Sequence, residues 1–217
     1  MITKLSVSNF KSVRQLDIDC KKVNLFIGEP NTGKSNILEV LGLLSWSRDI
    51  GYDLSDFVRF QLLQNLFYDQ LIDDDIRLLL SLSSDKTEWK LNIRFKDDKF
   101  EFHDLSIASP FATMDYGGRG SRGTNPKARD IKFFRFKNIA KYDDKEAGYL
   151  KPPNGSNLFS VVFSSKVLRD TMMEFFRKYG LKLVLKPQEK VFELQKQTDD
   201  LVFSFPYTLT SDCSGSA

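Results

Sequence analysis

The chain has 217 residues, a mass of 25.0 kDa and a formal net charge of +3. Hydrophobic residues make up 41% and charged residues 28%, which is enough apolar material for a packed core and excludes wholesale disorder. No apolar run approaches the ~18 residues of a membrane-spanning helix. Met1-Ile2-Thr3-Lys4-Leu5 lacks the apolar stretch of an export signal, so a cytoplasmic location is expected, with Cys20 and Cys213 as free thiols. The single histidine, His103, excludes multi-histidine metal centres and makes a histidine-based triad a poor fit.

The elements follow in chain order. Thr3 to Asn9 and Arg14 to Asp19 alternate with period two and read as two strands joined by a short hairpin connection. Val23, Asn24, Leu25, Phe26 and Ile27 form an apolar run with one break, which suits a strand buried on both faces. Ile37, Leu38, Leu41 and Leu44 then fall at helical spacing, predicting a helix over roughly 34–47. Residues 54–82 read as helical in pieces, with Asp73-Asp74-Asp75 as an N-terminal cap for the second piece. Two alternating strands are predicted at 88–95 and 99–103. The glycine-rich stretch 113–130 reads as a mobile loop, and 131–137 as a strand. Asn157 is a candidate cap for one helix over about 158–179 that stops at Gly180, and three short strands follow near 181–186, 190–195 and 200–205.

Charge is uneven along the chain. Residues 49–104 carry 7 basic and 13 acidic side chains, whereas 119–151 carry 10 basic and 4 acidic. Arg119, Arg122, Lys127 and Arg129 could drape along a phosphate backbone. Lys132, Arg135 and Lys137, interleaved with Phe133, Phe134 and Phe136, could stack on nucleic-acid bases, although a core strand explains the phenylalanines more simply. Mutual neutralisation of the two charge blocks within the fold is the plainer reading.

The sharpest motif is Gly28-Glu29-Pro30-Asn31-Thr32-Gly33-Lys34-Ser35, which fits G-x-x-x-x-G-K-[ST]. Gly28 and Gly33 permit the backbone angles that turn successive amides toward phosphate oxygens. Lys34 supplies a flexible cation for the outer phosphates, and Ser35 offers its hydroxyl to Mg²⁺. The helix that follows points its positive end at the anion. Asn31, Thr32 and Asn36 complete the expected loop.

Leu5-Ser6-Val7-Ser8-Asn9-Phe10-Lys11-Ser12, followed by Leu25-Phe26-Ile27-Gly28 and Gly33-Lys34-Ser35-Asn36-Ile37-Leu38-Glu39, resembles the N-terminal lobe of RecF/SMC/OLD-type ATPases. These form the ABC-class branch of P-loop proteins. More narrowly the chain is similar to bacterial ATPases of the "AAA family ATPase" type, some of which act in phage defence. Gly155-Ser156-Asn157-Leu158 and Phe205-Pro206-Tyr207 are weaker points of likeness. The resemblance implies ATP and Mg²⁺ as ligands, dimerisation around nucleotide or a completing polypeptide, and no membrane partner. It makes Phe10, Lys11 and Ser12 secondary site candidates, because the hairpin helps wall the nucleotide in that family. Phe10 could equally be a core residue, and Gln61 and Gln64 match a Mg²⁺-contacting glutamine by order alone.

The departures are as informative. No four-residue apolar run precedes an acidic pair, so the family's acidic strand end is missing; Ser214-Gly215 is only a fragment of the signature, and His103 lies too early for the family's histidine. The expected fold is α/β: a P-loop sheet with an antiparallel N-terminal β-lobe and helical insertions, an incomplete ABC-type head. One partial domain is expected over 1–210, with an insertion at about 49–130 and a disordered tail at 211–217. Weak or no hydrolysis by the chain alone follows. The alternative is a non-catalytic protein- or nucleic-acid-binding module with a vestigial nucleotide site. A self-contained P-loop kinase or GTPase lacks its guanine-reading string or lid motif.

Overall fold

A computed structural model describes residues 1–30, 32–48, 52–83, 88–123, 125, 131–135, 137 and 139–210. The chain forms a mixed α/β structure of two compact units, Met1–Phe133 and Phe134–Ala217.

The first unit is built on a seven-stranded antiparallel sheet. Its strands are β1 (Ile2–Phe10), β2 (Val13–Asp19), β3 (Ile76–Leu82), β4 (Glu88–Lys96), β5 (Lys99–Asp104), β6 (Ala112–Met114) and β7 (Gly120–Arg122), in the order β2-β1-β3-β4-β5-β6-β7. Period-two patterning sends one set of side chains into the core. Leu5 and Val7 of β1, Leu78 and Leu80 of β3, Leu91 and Ile93 of β4, and Phe100 and Phe102 of β5 are all buried. Against them lies helix α1 (Lys34–Trp46), whose Trp46 ring meets Phe102 edge-on at 5.4 Å. Short α2 (Leu54–Phe57) passes so close to α1 that a β-carbon on Gly42 would lie 2.7 Å from the Phe57 carbonyl oxygen, so this crossing requires glycine.

Several sequence expectations change here. Residues 76–82 form a central strand and not a helix, because β1 and β4 pair with both its edges and bury Ile76, Leu78 and Leu80 in strand alternation. The glycine-rich stretch supplies β6 and β7, joined through Gly117 and Gly118. The helix α1 buries Val40, Leu43, Leu44 and Trp46, while Leu38 is exposed, so its inner face is rotated from the predicted one. Residues 23–27 belong to neither sheet, and Val23, Leu25 and Ile27 are 80%, 80% and 84% exposed. The apolar run there has the composition of a buried strand, but no described strand pairs with it.

The second unit packs α3 (Leu158–Ser164) and α4 (Lys166–Arg177) with the antiparallel strands β8 (Lys182–Lys186), β9 (Val191–Thr198) and β10 (Leu201–Pro206), ordered β10-β9-β8. Tyr142, Phe159, Val162, Phe176, Leu183, Phe192 and Leu194 form its core. The single predicted helix breaks at Ser165, whose hydroxyl accepts from the Leu168 amide and caps α4. Asn157 precedes α3 but makes no capping bond; its buried amide instead holds the backbone of Glu146, Tyr149 and Lys151. The stretch 131–137 forms no strand among its described residues: Phe133 packs on Phe57 in the first unit, and Phe134 is exposed. Burial pushes the Tyr142 hydroxyl up to about 12, with Tyr207 adding to the rise. Among the described residues no helix is long and apolar enough to cross a membrane.

Candidate functional site

Three stretches of the first unit converge at the N-terminus of α1: the β1–β2 turn, the loop before α1, and the chain after α2. The turn is held in place first. Phe10 is fully buried and bridges to Phe67, the Lys11 amide donates to the Leu66 carbonyl at 2.8 Å, and the Asn9 amide side chain donates to Asp75. Asn9 and Lys11 both sit at positive φ, 58° and 50°, which these three contacts hold in place. Phe10 is therefore a core residue, the simpler of its two sequence readings.

The loop before α1 ends on Gly33, which caps the helix in the left-handed region at φ 84°. A β-carbon there would stand 2.6 Å from the Ser12 hydroxyl, so glycine is required by both conformation and space. Ser12 also accepts a 2.8 Å hydrogen bond from the Asn36 side-chain amide, latching the hairpin turn to the first turn of α1. The Thr32 hydroxyl donates to the Glu29 carbonyl at 2.9 Å. The Lys34 ammonium lies across this loop, donating to the carbonyls of Gly28 and Glu29 and to the Thr32 hydroxyl.

These residues surround a cavity of about 260 Å³ lined by Ser12, Thr32, Gly33, Lys34, Ser35, Asn36 and Arg59. Its chemistry suits an anion. Two cations, three hydroxyls and one amide face it, no carboxylate is among the lining residues, and the first turn of α1 carries no acidic residue to offset the positive helix end. The same set fits Mg²⁺ only in part. Ser35 gives one oxygen of the right kind, and a divalent ion bound there would draw its other ligands from phosphate and water. No cluster of three or more His, Cys, Asp or Glu side chains that could hold a metal occurs among the described residues.

Of the residues singled out from sequence, Ser12, Thr32, Gly33, Lys34, Ser35 and Asn36 meet at the cavity, and Gly28 contributes its carbonyl beside Lys34. Asn31 lies outside the described residues. Lys11 points elsewhere: its ammonium pairs with Glu39 and donates to the Arg59 carbonyl, and burial lowers its pKa despite that carboxylate. Gln61 and Gln64 do not line the cavity.

Two residues were missed. Glu39 lies on α1 and is only 4% exposed, paired to Lys11 and to Arg59. Its signal was present, since an acid at helical spacing from Leu43 and Trp46 sits on the inner face and demands a cationic partner. Arg59, which lines the cavity, has no local signal.

Among the other candidates, Arg122 is committed to Asp53 at 2.8 Å, to the Tyr52 carbonyl and to the face of Trp46. It ties the sheet to the segment before α2, a structural task. Lys127, Arg129 and Phe136 lie outside the described residues, as do Cys213, Ser214 and Gly215. His103 pairs with Glu101 at 2.9 Å on β5, and Cys20 is half-buried, its thiol pKa raised by burial and by Asp19.

A glycine-capped helix opening onto a polar cavity, with a lysine and a serine at its first turn, defines a P-loop nucleotide-binding protein. A family model described as AAA ATPase domain matches residues 1–198, and the chain belongs to that family. No match was found among curated proteins. Membership assigns an ATP-binding ATPase domain.

Proposed function

We propose that the chain is the ATP- and Mg²⁺-binding lobe of an ABC-class ATPase of the RecF/SMC/OLD kind, working in DNA maintenance or phage defence. The observation that carries this reading is the cavity at the N-terminus of α1, where Lys34, Ser35 and Arg59 converge without an opposing carboxylate. Lys34 would neutralise the outer phosphates, Arg59 would offer its planar donors to a phosphate edge, and Ser12 and Asn36 would hold the wall of the site. Mg²⁺ held by Ser35 would offset charge between the outer phosphates.

Hydrolysis by this class also needs an acidic residue to orient water, and the chain has no acidic pair after an apolar strand. We place that group on a polypeptide segment outside these 217 residues that completes the head, since a second copy of the same sequence would lack it too. The exposed run 23–27 supports this assignment, because its composition calls for strands on both sides. Nucleic-acid contact would then belong to the assembled head, since Arg122 is occupied within the fold.

Calorimetric titration of the 217-residue chain with Mg·ATP tests the proposal. Binding is expected, Lys34→Ala should abolish it, and turnover by the chain alone should be negligible. Binding that survives Lys34→Ala would overturn the site, and robust hydrolysis by the isolated chain would overturn the need for a second segment.

A further inference from the structure

The paired carboxylate under the cavity has a role beyond burial. Glu39 lies on α1 five residues after Lys34, about one and a half turns along the helix. Around it α1 buries Val40, Leu43 and Leu44, so an ionised side chain here needs full compensation. Compensation comes from two elements distant in sequence: Lys11 at the hairpin turn and Arg59 after α2.

The two cations are not equivalent. Lys11 is nearly enclosed, and its ammonium divides between the Glu39 carboxylate and the Arg59 backbone carbonyl. Arg59 has a side chain 63% exposed, meets Glu39 through its Nε, and lines the cavity. Arg59 is thereby gripped twice, at its carbonyl by Lys11 and at its Nε by Glu39. Its guanidinium, anchored at Nε by Glu39 and largely exposed, faces the cavity and can offer further N–H donors to a phosphate edge. Glu39 does not line the cavity and is enclosed by cations, so it acts through Arg59 and not on a ligand.

We infer that Glu39 is a positioning residue of the phosphate site: it joins the hairpin turn, α1 and the chain after α2 into one unit and sets the Arg59 guanidinium against the bound phosphates. This rests on the nucleotide-site reading above and adds the group that aims its second cation.

Binding of Mg·ATP by the full chain, in a mutant cycle, tests the inference. Glu39→Gln and Arg59→Ala should each weaken binding about tenfold, the scale of one charge-assisted hydrogen bond, and the double variant should be no weaker than Arg59→Ala. Additive losses, about a hundredfold in the double variant, would overturn the inference, because Glu39 would then act independently of Arg59. Should Glu39→Gln fold poorly, Lys11→Met/Glu39→Gln removes one charge of each sign and leaves the net charge of the site unchanged, with only the largely exposed Arg59 still charged. This pair should recover the melting temperature but not the affinity, and wild-type affinity in it would overturn the inference. The underlying reading fails separately, and in the wild-type arm: no Mg·ATP binding there, or binding insensitive to Lys34→Ala, removes the site itself and this inference with it.

Discussion

Two apolar runs in the first unit invite comparison. Residues 23–27 and β3 (Ile76–Leu82) are both apolar runs, yet in the first Val23, Leu25 and Ile27 are exposed with Phe26 half-buried, and the second is at the centre of the core. Nothing within β3 makes it more strand-like; its leucine-rich sequence also satisfies a helix. It is a strand because β1 and β4 flank it in register, Leu5 opposite Leu80 and Leu78 opposite Leu91. Residues 23–27 lack such neighbours among the described strands and stay outside both sheets. Burial is thus a property of what stands beside a segment. The exposed run leads into the loop before α1, whose residues line the polar cavity.

The comparison can be broken most directly at its buried end. Leu80→Ala should cost about 2–5 kcal/mol of unfolding free energy, because the neighbouring strands cannot close over the lost volume. Urea denaturation checks this, and a loss below about 1 kcal/mol would mean that β3 is not a packed strand. At the junction of the two regions, Gly33→Ala should destabilise by about 1–2 kcal/mol. It forces a β-carbon into the left-handed region and against the Ser12 hydroxyl. The same variant should lose nucleotide affinity through the displaced Ser12–Asn36 latch, readable in the same titration.

A pH experiment sharpens the account of the buried side. Asp104, at the end of β5, is buried; burial alone would raise its pKa, but the bonds from Ser106, Trp89 and Asn125 outweigh that and hold it below the ordinary 3.8. A carboxylate with a depressed folded pKa contributes stability that is present above its unfolded pKa and lost as pH falls through the folded one. The acid limb of the stability curve, below about pH 4, should therefore flatten in Asp104→Asn, as read from thermal melts over the acid range. The smallest effect belongs to the exposed run. Leu25→Ala should change stability by less than about 0.5 kcal/mol in the isolated chain. A large loss there would show that the run is packed after all.

Much of the local architecture was readable from sequence. The β1–β2 and β4–β5 hairpins and the three strands of the second unit follow from period-two alternation and turn residues. The position of α1 follows from the glycine that begins it. The helix–helix break at Ser165 was readable in principle, because serine offers a cap that competes with continuation, but its neighbours favoured one helix. The polar cavity at the start of α1 was readable because its demands are local: two glycines, a lysine and a serine within eight residues set backbone angles and charge together.

By itself, the sequence determined the glycine-capped start of α1 with its lysine and serine and which family the chain enters, since loop conformation and helix polarity depend on residues adjacent in the chain. Tertiary structure alone decided that β3 is central and 23–27 exposed, that Lys11 turns away from the cavity to Glu39, and that Arg59 arrives at its wall. Those outcomes depend on contacts between separate elements, such as Leu5 with Leu80, Lys11 with Glu39 and Glu39 with Arg59. Strand neighbours and buried charge partners over such separations are chosen by the packing of the whole unit, which no short window of sequence encodes.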